Sequence, residues 1–318
     1  RRAAGDVARA RAELFGGQID DDAPAKASHV HMQALREHPM VESVHGLIGI
    51  GMYGHVYRCT IRVQEGRTEA RAAAVKITQR NAEREHYEST ILKHLSHPGL
   101  VRLYDVIITP SMRALVMEYC SGGSLQQFIR GVPAATFKSI DPFIRLAPML
   151  DIACAVMYLH ASQIVHRDVH SGSCVFLTEP LPDGSPLPVA KLGDLGSAKL
   201  VLKSSFIMTR TVGTVPYMAP EVNTSSTYNT PADIFSCGLL LHEVLTGRVR
   251  RTNSAACKQS ALTAVVACDL SDVSDLPDVA RESVHVRDVV GQCLVTSPSE
   301  RLTGSDLVGL LRVLLGQA

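Results

Sequence analysis

Tryptophan is absent from the 318 residues, and aromatic side chains make up only 5% of them. A core must therefore be aliphatic, and a hydrophobic content of 46% supplies enough for one. No charge of one sign dominates: 32 Lys and Arg stand against 31 Asp and Glu, a net charge of +1. That balance argues against a general nucleic-acid or membrane-surface binder, which carries a basic excess. The 8 cysteines include no Cys-x-x-Cys pair, so a zinc ribbon or dithiol redox motif is disfavoured. Several sit in apolar runs such as Ile152-Ala153-Cys154-Ala155-Val156. That setting suits free buried thiols, and with them a reducing, intracellular (cytoplasmic) location. No uninterrupted apolar run approaches the ~20 residues of a membrane span. A start at Arg1 rather than Met suggests a piece of a longer protein, so a missing targeting segment excludes little.

What is present has a definite order. Residues 1–40 are rich in Ala, Arg and Asp and read as an extension or linker, with a helix expected over Val7 to Leu14 and a break at Gly16-Gly17. Val44 to Val63 reads as two strands around Gly49-Ile50-Gly51-Met52-Tyr53-Gly54. Apolar β-type residues flank these glycines on both sides and no helix pattern follows. A hairpin fits, and its glycines would let backbone N–H groups approach phosphates; an ordinary Gly-rich hairpin fits the same residues. Ala72 to Ile77 is the next strand. It contains Lys76, which is costly in an apolar run unless paired. Glu88 is the best partner on the following helical stretch, because it shares a face with Ile91 and Leu92. His97 to Val101 ends that helix and begins a strand. Leu115 to Cys120 is a strand running into Ser121-Gly122-Gly123-Ser124. Phe143 to His160 is a helix by its spacing. Glu179 to Pro188 holds four prolines and a glycine, the composition of an exposed hairpin tip between two short strands.

The chemistry is carried by His166-Arg167-Asp168-Val169-His170-Ser171-Gly172-Ser173 and by Gly193-Asp194-Leu195-Gly196 about two dozen residues after Asp168. Val212-Gly213-Thr214-Val215-Pro216-Tyr217-Met218-Ala219-Pro220-Glu221, Ala232-Asp233-Ile234-Phe235-Ser236-Cys237-Gly238 and Ser297-Pro298-Ser299-Glu300-Arg301 follow. In this order and spacing the motifs resemble those of the eukaryotic protein kinase family over residues 44 to 315. Thr214 before the Pro-Tyr-Met-Ala-Pro-Glu run is similar to the Ser/Thr type, closest in flavour to kinases that act on MAP-kinase kinases. The resemblance implies an α+β, two-lobed protein kinase fold over 41–318. Its N-lobe, an antiparallel sheet with a C-helix, would take about 41–117, the hinge about 118–124, and a mostly helical C-lobe about 125–318.

The same resemblance implies ATP and Mg2+ as cofactors and a protein substrate, with a downstream kinase as the candidate; nothing in the pattern sets an oligomeric state. Gly49, Ile50, Gly51 and Gly54 would cover the phosphates, and Val56, Ala74 and Val175 would enclose the base. Met117 falls at the gatekeeper position, with Glu118 and Cys120 in the hinge. Lys76, held by Glu88, would grip the phosphates, Asp194 would bind the metal, and Asp168 would be the catalytic base. Arg167 would meet a phosphate on the activation segment, where Thr209 and Thr211 are favoured over Ser204 and Ser205. Glu221 and Arg301 would form a structural ion pair, and Asp233 would brace the catalytic loop.

Two positions depart from the family pattern. His170 stands where a Lys is expected and Ser173 where a metal-binding Asn is expected. A serine hydroxyl can still reach a metal, and His170 as an imidazolium could partly replace the Lys as pH falls toward ~6. The departures leave two readings open, a Ser/Thr protein kinase and an ATP-binding pseudokinase scaffold.

Overall fold

The structure is a computed structural model that describes residues 32–51, 54–65, 67–78, 89–109, 112–172, 175–177, 190–201, 213–224, 229–249 and 276–317. The chain divides into two compact units, one within 15–96 and 101–121, the other within 97–100 and 122–318.

The first unit is an antiparallel sheet of β1 (Val41–Gly51), β2 (Gly54–Glu65), β3 (Arg67–Thr78), β4 (Leu103–Ile108) and β5 (Arg113–Glu118), in the order β1-β2-β3-β5-β4. Its residues alternate across the sheet with period two. Tyr57, Cys59 and Ile61 of β2 and Ala73, Val75 and Ile77 of β3 share one face, and all are buried. Leu35, on a helical turn over 32–36, is fully buried in this cluster, with Met32, Ala34 and Met40 packed beside it. The packed unit thus begins before residue 41, inside the stretch expected to be a linker. One turn of helix is too short to show a 3.6-residue period in sequence.

β1 and β2 close as the expected hairpin, with Gly49 opposite Val56 and Gly51 opposite Gly54. Val56 then pairs with Lys76, Lys76 with Leu115, and Ala74 with Met117. Directly paired residues point to the same side of a sheet. Gly49, Val56, Lys76, Ala74 and Met117 therefore share one face, opposite the apolar cluster. Lys76 is buried there. Ile91 and Leu92, on a helical stretch over 89–94, are buried as their spacing predicts.

The second unit is mostly helical. Ser124 starts α1 (Leu125–Gly131): its hydroxyl accepts from the Gln127 N–H while the Gln127 side chain accepts from the Ser124 N–H, a reciprocal cap. After α2 (Ala134–Ser139) comes α3 (Pro142–Ala161), which begins with Asp141 accepting from the Phe143 amide. Helix α3 is long and apolar enough to cross a membrane by length and composition, although no uninterrupted apolar run of that length exists in sequence. Half of its residues are buried, and it packs as a core helix against α5 (Pro231–Thr246), which follows the short α4 (Pro220–Thr224), and against α7 (Gly304–Leu315). Short β pairs join β6 (Ile164–Val165) to β9 (Lys199–Leu200) and β7 (Val175–Leu177) to β8 (Ala190–Leu192). The β7–β8 pairing is the hairpin whose tip was expected at Glu179 to Pro188, which lies outside the described residues.

The expected strand after His97 does not begin at Val101. Leu100 instead makes a parallel bridge to Leu192, with the Gly99 carbonyl accepting the Leu192 N–H at 2.7 Å, so 97–100 belongs with the second unit. At the centre, α5 is buried from Ala232 to Leu245. Gly238 lets α6 (Val286–Cys293) approach closely, since a Cβ there would lie 2.6 Å from that of Cys293.

Candidate active site

The loop from His166 to Gly172 is held from below by α5. Asp233, fully buried in its first turn, accepts the N–H groups of His166 and Arg167, each at 2.8 Å, and its Oδ2 lies 2.9 Å from His160 Nε2. Burial pushes the Asp233 carboxyl up. The His160 hydrogen bond and charge, with His166 and the Arg167 amide, outweigh that and hold it below the usual carboxylate value. These two backbone bonds fix Arg167 at φ +69°, a left-handed conformation that costs a non-glycine residue ~1–2 kcal/mol. The Arg167 Nε–H donates to the Ser197 carbonyl at 2.5 Å, tying the loop to the segment after Asp194.

His166 is fully buried. Its Nε2 lies 2.9 Å from the Gly193 carbonyl, and its Nδ1 accepts the Asp168 N–H at 3.3 Å. Both contacts are satisfied by the Nε2–H tautomer, and together they bring the Asp168 and Asp194 segments to a common support. Leu195, Gly196, Ser197 and Ala198 are buried, while Asp194 at φ +54° is not. The turn thus presents one carboxylate and buries its neighbours. A carboxylate is the hard oxygen donor that magnesium takes, so Asp194 fits that metal. Ser173, the other expected ligand, and Glu88 lie outside the described residues, as do Ser204, Ser205, Thr209 and Thr211. Val175 is placed on β7, paired with Leu192.

Asp168 Oδ1 accepts the Thr214 N–H at 2.7 Å, which fixes the carboxylate's direction. His170 is buried, with Nε2 3.7 Å from the same oxygen. Its Nδ1 accepts the Gly172 N–H at 3.0 Å, so the ring proton sits on Nε2. Burial pushes the imidazole below its ordinary value, against the opposing pull of Asp168 and Asp194. His170 is therefore neutral at neutral pH. An added Nδ1 proton would face the Gly172 N–H and burial disfavours the charge, so this geometry weighs against the cation expected as pH nears ~6.

Glu221 and Arg301 form the expected pair, bidentate at 2.5 and 2.8 Å. Arg301 also donates to the carbonyls of Val295, Pro231 and Thr296 and lies over the Phe235 ring. In the first unit, Glu118 Oε2 accepts the Arg102 N–H at 3.3 Å, and Cys120 is buried. Ile50 at the hairpin is exposed.

Sequence reasoning missed four participants. Thr214 acts through its backbone, which no side-chain pattern reveals. Glu243, fully buried on α5, accepts from Ser171 Oγ at 2.6 Å and from the Tyr217 hydroxyl at 2.7 Å. A carboxylate inside the run Leu239-Leu240-Leu241-His242-Glu243-Val244 was the available signal.

A five-stranded antiparallel unit, a mostly helical unit and a braced loop that orients Asp168 are the architecture of the protein-kinase class. The family model for the protein kinase domain matches residues 43–310. The serine/threonine-protein kinase SRK2A of Physcomitrium patens is 31% identical over 273 residues, 85% of this chain and 72% of that protein. SRK2E of Arabidopsis thaliana is 30% identical over 286 residues, 89% of this chain and 74% of that protein. The serine/threonine-protein kinase atg1 of Dictyostelium discoideum is 34% identical over 208 residues, 63% of this chain and only 29% of that protein. The chain belongs to the protein kinase family and has its two-lobed fold. Within that family it is a serine/threonine protein kinase. Membership implies use of ATP, typically with Mg2+, and a protein substrate.

Proposed function

We propose that this domain moves the γ-phosphoryl group of ATP to a serine or threonine hydroxyl of a protein, with Asp168 as the base. The observation that carries the reading is the orientation of Asp168, set by the Thr214 amide and by the bracing of the loop on Asp233. Asp168 orients the incoming hydroxyl and takes its proton as the new O–P bond forms and the bond from the γ-phosphorus to the β–γ bridging oxygen breaks, with ADP as the leaving group. Lys76, with Glu88 as its partner, holds the nucleotide's phosphates, and Gly49, Gly51 and Gly54 close over them with backbone N–H groups. Asp194 and Ser173 would hold magnesium, which would supply positive charge to neutralise the phosphates. His170 supplies a neutral N–H donor where a cation would otherwise stand.

Further proposals follow the sequence. The likeness of Val212–Glu221 to kinases acting on other kinases favours a downstream kinase as substrate. Cys59, Cys120, Cys154, Cys237 and Cys293 are free thiols, which supports a reducing, intracellular setting. Phosphorylation at Thr209 or Thr211, and secondarily Ser204 or Ser205, orders the activation segment. Replacing all four by Ala should lower activity, and unchanged activity would count against that switch.

The experiment is transfer of labelled phosphate from ATP to a generic basic protein, followed by phosphoamino-acid analysis. Phosphoserine and phosphothreonine are expected. A folded protein that binds ATP and transfers nothing would turn the reading to the pseudokinase scaffold.

A further inference from the structure

Three consecutive residues of the catalytic loop, His170, Ser171 and Gly172, each make a contact that the others require. The Gly172 N–H donates to His170 Nδ1, and a Cβ on Gly172 would lie 2.9 Å from both Cε1 and Nδ1 of that ring. Only glycine lets the loop fold back this closely over an imidazole. On another side the ring meets Tyr217, with centroids 5.3 Å apart and planes tilted by 38°. Tyr217 is itself anchored, its hydroxyl donating to Glu243 Oε1. Ser171 Oγ donates to Glu243 Oε2 and lies 3.2 Å from the Tyr217 hydroxyl. Glu243 is fully buried on α5, so it links the loop and the Tyr217 segment to the most buried helix of the unit.

We propose that Gly172, Ser171, Tyr217 and Glu243 form a clamp that fixes His170 in its Nε2–H tautomer with that edge facing Asp168, and that they are thereby positioning residues for the base. This rests on the proposed role of Asp168. The clamp ties the departure at His170 to the glycine two residues on: a flat ring with an acceptor nitrogen needs an N–H above it and no Cβ beside it. A lysine at 170 would leave the Gly172 N–H without this acceptor and would put a flexible chain where a ring is held on two sides. The Nε2–H, 3.7 Å from Asp168 Oδ1, biases the carboxylate electrostatically without carrying a charge.

A double-mutant cycle on the full chain tests the clamp. Gly172→Ala pushes the ring aside, and a misplacement of about an ångström can lower turnover by ~10²-fold. We expect kcat to fall roughly ten- to hundredfold, with KM for ATP and for the protein substrate little changed. In a His170→Ala background the same Gly172→Ala change should have almost no further effect, because its action passes through the ring. Tyr217→Phe, which keeps the aromatic face and removes the link to Glu243, should give a smaller loss that also vanishes in that background. A Gly172→Ala loss of equal size with and without His170 overturns the proposal, as does no loss at all.

The ring is read independently of turnover by 15N–1H correlation spectra of histidine-labelled protein. The Nε2–H tautomer is expected at neutral pH in the wild type, with both ring nitrogen shifts displaced in Gly172→Ala. An Nδ1–H tautomer or an imidazolium in the wild type overturns the clamp. The expected spectrum in a protein that transfers no phosphate would retire the proposed reaction and, with it, the positioning role.

Discussion

Removing Glu221 should destabilise the second unit by about 3 kcal/mol, and removing Arg301 by more. Breaking a buried ion pair from one side costs ~3–5 kcal/mol, because the remaining charge stays buried without compensation. The two sides differ here. After Glu221→Ala, the Arg301 guanidinium, whose side chain is 0% exposed, still donates to the carbonyls of Val295, Pro231 and Thr296. That places the loss at the low end of the range. Arg301→Ala removes the pair, three carbonyl bonds and the stacking on Phe235 at once, and places the loss at the high end. For a unit of this size about 1 kcal/mol shifts the melting temperature by ~2–4 °C, so Glu221→Ala should lower Tm by ~6–12 °C. Thermal melts in low and high salt are the assay. The loss should hardly depend on salt, since buried pairs are poorly screened. A shift of less than ~2 °C for Glu221→Ala, or a larger loss for it than for Arg301→Ala, would refute the reasoning.

ATP with magnesium should raise Tm by mass action, and Lys76→Ala should remove most of that rise; no shift in the wild type at millimolar ATP would sink nucleotide binding. Asp233, whose folded carboxyl is held below its ordinary value, contributes stability that is present above the unfolded value of ~3.9 and is lost as pH falls through the folded one. Wild-type stability should therefore fall as pH drops from about 4 through the folded value, and Asp233→Asn should flatten that part of the profile while lowering stability at neutral pH. An unchanged acid limb in Asp233→Asn would remove Asp233 from the account.

Much of the fold was legible because its signals are periodic and local. Apolar β-type residues on both sides of the Gly49 to Gly54 turn marked the β1–β2 hairpin, and the spacing from Phe143 to His160 marked α3. Ile91 and Leu92 were placed inward by helix geometry alone. The loop residues Asp168 and Asp194 were legible through motif order rather than through any physical property of either. What escaped was of two kinds. Leu35 belongs to a single helical turn, whose packing depends on a sheet face formed by distant residues. The Thr214 amide, the Gly172 backbone and the Ser171–Glu243–Tyr217 contacts join segments up to 72 residues apart, and they act through backbone groups or hydroxyls that any loop carries. His170 was read as a departure and as a prospective cation, and the structure weighs against the cation. Its charge state depends on an acceptor contact with the Gly172 N–H and on burial, and neither is written in the residue itself.

The central claim, that Asp168 acts as the base of a working kinase despite His170 and Ser173, is tested most directly by comparing wild type with Asp168→Ala. Both would be assayed for transfer from γ-labelled ATP to protein at saturating ATP and magnesium, with ATP occupancy matched by thermal shift. Measurable phosphoserine or phosphothreonine is expected in the wild type and its loss in Asp168→Ala, with ATP binding preserved in both. Equal transfer by the two proteins, or none by a folded wild type with ATP bound, would contradict it.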